Sequence, residues 1–410
     1  MKVLFTHDHK FYKDEKGLYY SDGQYPYRLW RRYLEVFDEI VVAARVRSLG
    51  KTEERQYLDL SSGPKVRFVE IPSVSSPLAW LGARQEAVKR LSDALVQCDG
   101  LIARIGEISR LAAPLARKQK KPWLAEVVYC PFDALWNHGS WQGKLYAPYA
   151  YWATRRMVEK APYALYVTKE FLQRRYPSYG ETVSCSDVQL ADEAPYVLER
   201  RLLRLSLAAT PVKKIGLIGT LANHMKGVHV ALQALSYLAK DRDDFLFQVL
   251  GGGDPAPWQK LAEQYGIGDR TVFCGTLPHG TAVNEWLDQI DLYIQPSFQE
   301  GLPRALLEAM GRACPALGST AGGIPELLPP SCLHKPGDSM ALAAGIGAAL
   351  DNSAWCSNQA KRNFTLAAAY RPSALDPLRQ NFWRCFSQAV SKEDFLCQSQ
   401  PSQWQNGSSF

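Results

Sequence analysis

Two glutamates, Glu300 and Glu308, stand eight positions apart in the run Phe298-Gln299-Glu300-Gly301-Leu302-Pro303-Arg304-Ala305-Leu306-Leu307-Glu308-Ala309-Met310. The first precedes a Gly-Leu-Pro turn, and the second falls on the helix that the next residues predict. Leu292–Gln295 reads as a buried strand ahead of them, so the order is strand, loop, helix. That order aims a helix N-terminus and free backbone N–H groups at one place, which suits an anion. Glu308 lies about one turn past Arg304, among Leu306, Leu307 and Met310, which have the character of core residues. A carboxylate beside an apolar stripe needs a polar partner, and sugar hydroxyls would serve. These residue types predict a pocket for a phosphorylated, hydroxyl-rich ligand.

A cation is available upstream. Ile215-Gly216-Leu217-Ile218-Gly219-Thr220 runs through Leu221-Ala222-Asn223-His224-Met225 into Lys226-Gly227 and a helix. Gly219 lets the chain turn as it leaves a strand. Lys226 would set an ammonium beside the positive end of the helix, where a diphosphate could be held. The segment is neither a Walker A loop nor a GxGxxG fingerprint, so ATPase and dinucleotide readings have no direct support.

Short apolar strands alternating with amphipathic helices must position these groups. In the first half the strands are expected at Lys2–Thr6, Ile40–Ala44, Val66–Ile71, Gly100–Ala103, Trp123–Val128 and Ala164–Thr168, with helices at 82–97 and 145–160. The second half restarts at Lys214–Gly219 and continues at Phe245–Gly251, Thr271–Gly275, Leu292–Gln295 and Pro315–Gly318. Its helices are expected at 227–239, 257–265, 280–289 and 303–313. Such alternation predicts two parallel, doubly wound α/β sheets, with ligands at the carboxyl ends of the strands. The expected division is one domain over 1–205, joined through a connector at 195–213 to a second over 206–375. An amphipathic helix within 376–396 is expected to cross back to the first domain, and 397–410 to form a disordered tail.

Composition sets the outer bounds. The chain has 410 residues, 46% apolar and 22% charged, and is globular. Its nine cysteines form no CxxC pair, which fits a reducing compartment and disfavours a zinc site. No run approaches 18 apolar residues, and the first residues lack the apolar stretch of a leader, so the expectation is a cytoplasmic protein. Residues 1–205 hold 32 Lys and Arg against 24 Asp and Glu, a net of +8, while the remainder is nearly neutral. This basic half is expected to meet an anionic membrane or a polyphosphate-linked substrate. Nucleic acid is disfavoured, because no recognisable binding motif interleaves aromatics with the basic residues.

Taken in order, Gly219…Lys226-Gly227, Val249-Leu250-Gly251-Gly252-Gly253-Asp254, Val272-Phe273-Cys274-Gly275, the Glu300–Met310 run and Gly322-Gly323-Ile324-Pro325-Glu326 resemble the donor half of the retaining glycosyltransferases of family 4. Those enzymes have the GT-B fold, and Glu300 and Glu308 match their E-x7-E motif. The resemblance is strong across 214–330 and weak before it. It implies that Lys226 neutralises a donor diphosphate, that Glu308 accepts from ribose hydroxyls and that Glu300 meets the donor sugar. Gly219, Thr220, Gly252, Gly301, Leu302, Pro303 and Arg304 complete the implied donor site, with the N–H groups of 302–304 on the phosphates. The family commonly has Arg after the glycine matching Gly219; here it is Thr220, and Arg304 is the candidate replacement.

The resemblance further implies that 1–205 binds the acceptor and 206–375 the donor, with Gly23 of Asp22-Gly23-Gln24 as the candidate glycine loop on the acceptor side and His138 as the candidate contact to the donor sugar. His7-Asp8-His9 has a structural or cleft-lining reading rather than a metal-binding one. No metal and no cofactor is expected. The resulting expectation is transfer of a sugar, with retention, from a nucleotide-diphosphate donor to a glycan or lipid-linked glycan of surface polysaccharide biosynthesis. A GT-B nucleotide-sugar epimerase and a non-catalytic nucleotide-sugar-binding subunit remain alternatives.

Overall fold

The computed structural model describes residues 1–50, 58–73, 80–191, 195–206 and 212–391; the tail expected at 397–410 lies outside them. The chain divides into two compact units, one of 1–103, 107–124 and the stretch from Asn381, the other of 104–106 and 125–380.

The first unit is built on β1 (Lys2–Lys13), β2 (Tyr19–Ser21), α1 (Tyr27–Leu34), β3 (Glu39–Ser48), β4 (Asp59–Leu60), β5 (Val66–Glu70), α2 (Trp80–Val96), β6 (Gly100–Arg104) and α3 (Glu107–Lys118). β1 pairs in parallel with β3 and β6, and β3 with β5, as the alternation predicts. β2 and β4 add antiparallel edges that the pattern did not announce. β1 is also longer than expected, because its pairing with β3 shifts register between Thr6 and Lys10 and then resumes. His7-Asp8-His9 sits at that irregularity rather than at a strand end. Asp8 accepts the Glu107 and Ile108 N–H groups at 2.6 and 2.9 Å, so it caps α3, and burial raises its pKa.

The second unit continues with β7 (Trp123–Val127), α4 (Pro131–Trp136), α5 (Trp141–Glu159), β8 (Tyr163–Tyr166), α6 (Phe171–Arg175), β9 (Glu181–Ser184) and α7 (Tyr196–Ser206). α7 occupies the described part of the expected connector. Its buried Arg201 donates to the carbonyls of Leu287 and Arg312 at 2.9 and 3.2 Å. Then come β10 (Lys213–Ile218), α8 (Val228–Leu238), β11 (Phe245–Leu250), α9 (Ala256–Gln264), β12 (Thr271–Phe273), α10 (Thr281–Asp288), β13 (Leu292–Gln295), α11 (Arg304–Gly311), β14 (Ala316–Ser319), β15 (Leu333–His334), α12 (Ser339–Leu350) and α13 (Ser353–Ala368).

The last six strands form one parallel sheet in the order β12-β11-β10-β13-β14-β15. Apolar runs such as Leu292-Tyr293-Ile294, fully buried here, suit strands covered on both faces. The chain runs outward in one direction from β10 and in the other from β13, so the order reverses between those two neighbours. Loops leaving the carboxyl ends of strands at such a reversal part from one another and leave room for a ligand. A final helix, α14 (Pro372–Ser391), starts four residues before the expected 376. In the first unit its Trp383 stacks on Tyr33 at 4.3 Å.

Candidate functional site

The loops that leave β10 and β13, flanking the strand-order reversal, carry Lys226 and Glu300. Lys226 Nζ lies 2.8 and 2.9 Å from the two carboxylate oxygens of Glu300. The same Glu300 Oε1 accepts from Ser297 Oγ at 2.7 Å and from Gln295 Nε2 at 3.0 Å. Gln295 in turn accepts from Tyr293 Oη at 2.6 Å, and burial keeps that phenol protonated. A buried carboxylate with a cation and two neutral donors is satisfied and held in one orientation. An ammonium has three N–H donors and Glu300 engages two, leaving one for a further acceptor. The residues supporting Glu300 were not foreseen, although Gln295 and Ser297 are polar groups at the end of an apolar strand.

Glycines make the loop packing possible. A Cβ on Gly301 would stand 2.1 Å from the Val128 carbonyl oxygen, so only glycine lets Glu300's loop lie against the end of β7. A Cβ on Gly251 would stand 2.0 Å from the Gly219 carbonyl oxygen. Gly251 therefore serves contact between two loops. At Gly252 the added atom would meet only Thr276 Cγ2, at 3.1 Å. Gly219 gives room to the stem of Lys226, whose Cβ and Cγ would be 2.8 Å from its missing side chain. Thr220 brings no charge. Its hydroxyl donates to the Gly252 carbonyl at 3.3 Å and accepts the Ala222 N–H at 3.1 Å, pinning the two loops together.

Glu308 lies on α11, half-buried, one turn after the exposed Arg304. Burial raises its carboxyl pKa, and the Arg304 charge pulls it back in part. The first N–H groups of α11 precede any intrahelical bond, and its N-cap, Pro303, supplies no side-chain cap. The expectation of N–H donors across 302–304 needs one correction: Pro303 has none, so Leu302 and Arg304 are the donors of that run. Because the folded chain binds the Glu308 proton more tightly than the unfolded chain does, this group's stabilising contribution exists at low pH. It is lost as pH rises through the folded pKa. Glu308→Gln is therefore expected to raise Tm at pH 7, the gain shrinking toward pH of about 4, where carboxyls protonate in any case. Thermal unfolding across pH checks it, and a lower Tm at pH 7 would contradict it.

His138 is exposed in the turn between α4 and α5, beside Asn137. Asn137 Nδ2 donates to the Phe298 carbonyl at 3.2 Å, so this turn rests on the Glu300 loop through a residue that sequence reasoning passed over. Gly23 belongs to the other unit, in a turn at φ of 86° after β2. Glu326, the last residue of the Gly-Gly-Ile-Pro-Glu motif, accepts the N–H groups of Lys169, Glu170 and Phe171 at 2.6, 3.1 and 2.8 Å and so fixes the start of α6.

A family profile described as glycosyl transferases group 1 matches residues 212–352. Protein CapJ of Staphylococcus aureus is 33% identical over 346 residues, covering 83% of this chain and 84% of CapJ. The amylovoran biosynthesis glycosyltransferase AmsK of Erwinia amylovora is 33% identical over 129 residues, 29% of this chain and 31% of AmsK. Among solved structures, sucrose-phosphate synthase of Thermosynechococcus elongatus superposes with a TM-score of 0.68 at 17% identity, over 95% of this chain and 100% of that one. Anabaena HepE in complex with UDP-glucose gives 0.62 at 17% identity, over 95% and 99%. The structural likenesses establish the GT-B architecture, and the family profile with the long alignment to CapJ places the sequence: the chain belongs to the group 1 glycosyltransferases.

Proposed function

We propose that this glycosyltransferase takes a sugar from a nucleotide-diphosphate donor and places it, with retention, on a hydroxyl of a glycan or lipid-linked glycan in surface polysaccharide biosynthesis. The observation that carries the reading is the Lys226–Glu300 pair at the strand-order reversal, with Glu308 on the helix that follows. The biosynthetic role named for AmsK and the UDP-glucose held by HepE support the choice of pathway and donor class.

In this reading Glu308 accepts from the ribose hydroxyls. Lys226 and the N-terminus of α11 take the diphosphate, and Glu300 meets the sugar, with His138 on the neighbouring turn. Gly23, in the first unit, is the candidate glycine loop on the acceptor side. The acceptor oxygen bonds to the anomeric carbon on the face from which the diphosphate leaves. The bond to the diphosphate oxygen breaks, and that oxygen takes the acceptor's proton. Stabilising the departing charge is then the largest catalytic contribution, and the cation that supplies it is Lys226 rather than a metal. The enzyme works in the cytoplasm at the inner face of the membrane, which its basic N-terminal half contacts.

Thermal unfolding of the purified chain with a panel of UDP- and GDP-sugars tests the donor assignment. One sugar nucleotide should raise Tm, by an amount that grows with concentration. NMR of the product should show the donor's anomeric configuration kept. No stabilisation by any member of the panel, or an inverted product, would overturn the reading.

A further inference from the structure

α5 is apolar on two opposite faces. Toward the protein it buries Ala147, Ala150, Met157 and Val158. On the outward side Trp141, Leu145, Tyr149 and Trp152 are 67%, 72%, 52% and 56% exposed. Their spacing of four, four and three residues sets them on one line along the helix, and Arg156 extends it by four more. A surface helix of a globular protein presents polar residues to water, and one that is apolar all round is covered all round. Something therefore covers this line, and its residue types say what. Trp and Tyr carry an apolar body with a polar tip, the combination that settles at a membrane–water interface.

The charges agree. Arg156 lies over the Trp152 ring at 5.3 Å, and Lys144 and Lys160 are exposed beside the line. The single acidic residue of the helix, Glu159, is paired with Arg155 at 2.9 Å. A second copy of the chain docked about a two-fold axis would bring these same cations together, which is unfavourable. Anionic lipid headgroups complement them. α5 also starts from the turn that Asn137 ties to the Glu300 loop.

We infer that the outward line of α5, Trp141-Leu145-Tyr149-Trp152 with Arg156, is the surface on which this enzyme lies on an anionic bilayer. The inference rests on the membrane contact proposed above and assigns it to one helix rather than to diffuse basic charge. A lipid-linked acceptor would then meet the donor loop at the headgroup level.

Flotation of the full chain with vesicles of phosphatidylcholine containing phosphatidylglycerol tests it, with pure phosphatidylcholine as reference. The wild-type chain should float with the anionic vesicles. Trp141→Ser with Trp152→Ser should weaken binding by about tenfold or more for each tryptophan buried, with Tm and donor-induced stabilisation unchanged. Leu145→Ser alone, a milder change, should weaken it in the same direction. Lys118→Gln with Lys120→Gln and Lys121→Gln, which neutralises a basic cluster elsewhere, should leave most binding in place. Binding lost in that triple variant but kept in the tryptophan variant would overturn the inference and leave the membrane reading standing. A wild-type chain that ignores anionic vesicles would overturn both. A dimer in solution that the tryptophan changes dissociate would assign the line to a second copy instead.

Discussion

Lys226→Ala is expected to lower sugar transfer by about a hundred- to a thousandfold, the range seen when one preorganised stabiliser of a developing negative charge is removed. The same change leaves the Glu300 carboxylate buried with Ser297 and Gln295 but without its cation. Stability should fall as well, because a buried ion left unpaired costs more than the pair was worth. The Lys226 side chain is 29% exposed and that of Glu300 8%, so the loss should be below the roughly 3–5 kcal/mol of fully buried pairs. Combining Lys226→Met with Glu300→Gln removes both charges, and this double variant should recover most of the Tm while transfer stays lost. Unfolding scans and kcat on wild type, Lys226→Met, Glu300→Gln and the double variant measure the coupling. Transfer near the wild-type rate in Lys226→Ala would refute the assigned role.

Gly301→Ala has the second large effect. The new methyl would have to sit 2.1 Å from the Val128 carbonyl oxygen, and neither partner is a flexible side chain. The loop must move, and Glu300 moves with it. Overpacking of this kind costs about 1–3 kcal/mol. A displacement of about 1 Å at a reacting centre can cost about a hundredfold in rate. kcat should therefore fall by about a hundredfold while nucleoside-diphosphate affinity, proposed above to rest on Glu308 and Lys226, changes far less. Equal losses in kcat and affinity would mean that Gly301 acts on the whole donor site.

The strand–loop–helix order around Glu300 was legible because it is written locally. Leu292–Gln295 is an unbroken buried run, and Pro303 marks the helix start. The ion pair was not legible, since its partners are 74 positions apart and meet only because β10 and β13 are neighbours in the sheet. Periodicity gives strands but not their order. Thr220 stood out in the sequence as a missing charge, whereas its hydroxyl bonds to Gly252 and Ala222 give it a structural task. α5 was expected to start at 145, yet it begins at Trp141 behind the Ser140 cap. With apolar residues on both faces, the helix shows little of the one-sided pattern that marks such elements. β1 was legible only in its first half, because five polar residues, Thr6-His7-Asp8-His9-Lys10, separate its apolar run from Phe11.

Calorimetric titration of UDP and GDP into wild-type, Lys226→Ala, Glu308→Gln and Glu300→Gln chains tests most directly whether these residues grip a nucleotide donor. One of the two nucleotides should bind the wild-type chain and bind about tenfold or more weakly to Lys226→Ala and Glu308→Gln, each of which loses a charge-assisted contact. It should bind Glu300→Gln nearly as well as wild type, since the proposed partner of Glu300 is the sugar. Equal affinity in all four chains, or no binding of either nucleotide to wild type, would contradict the account.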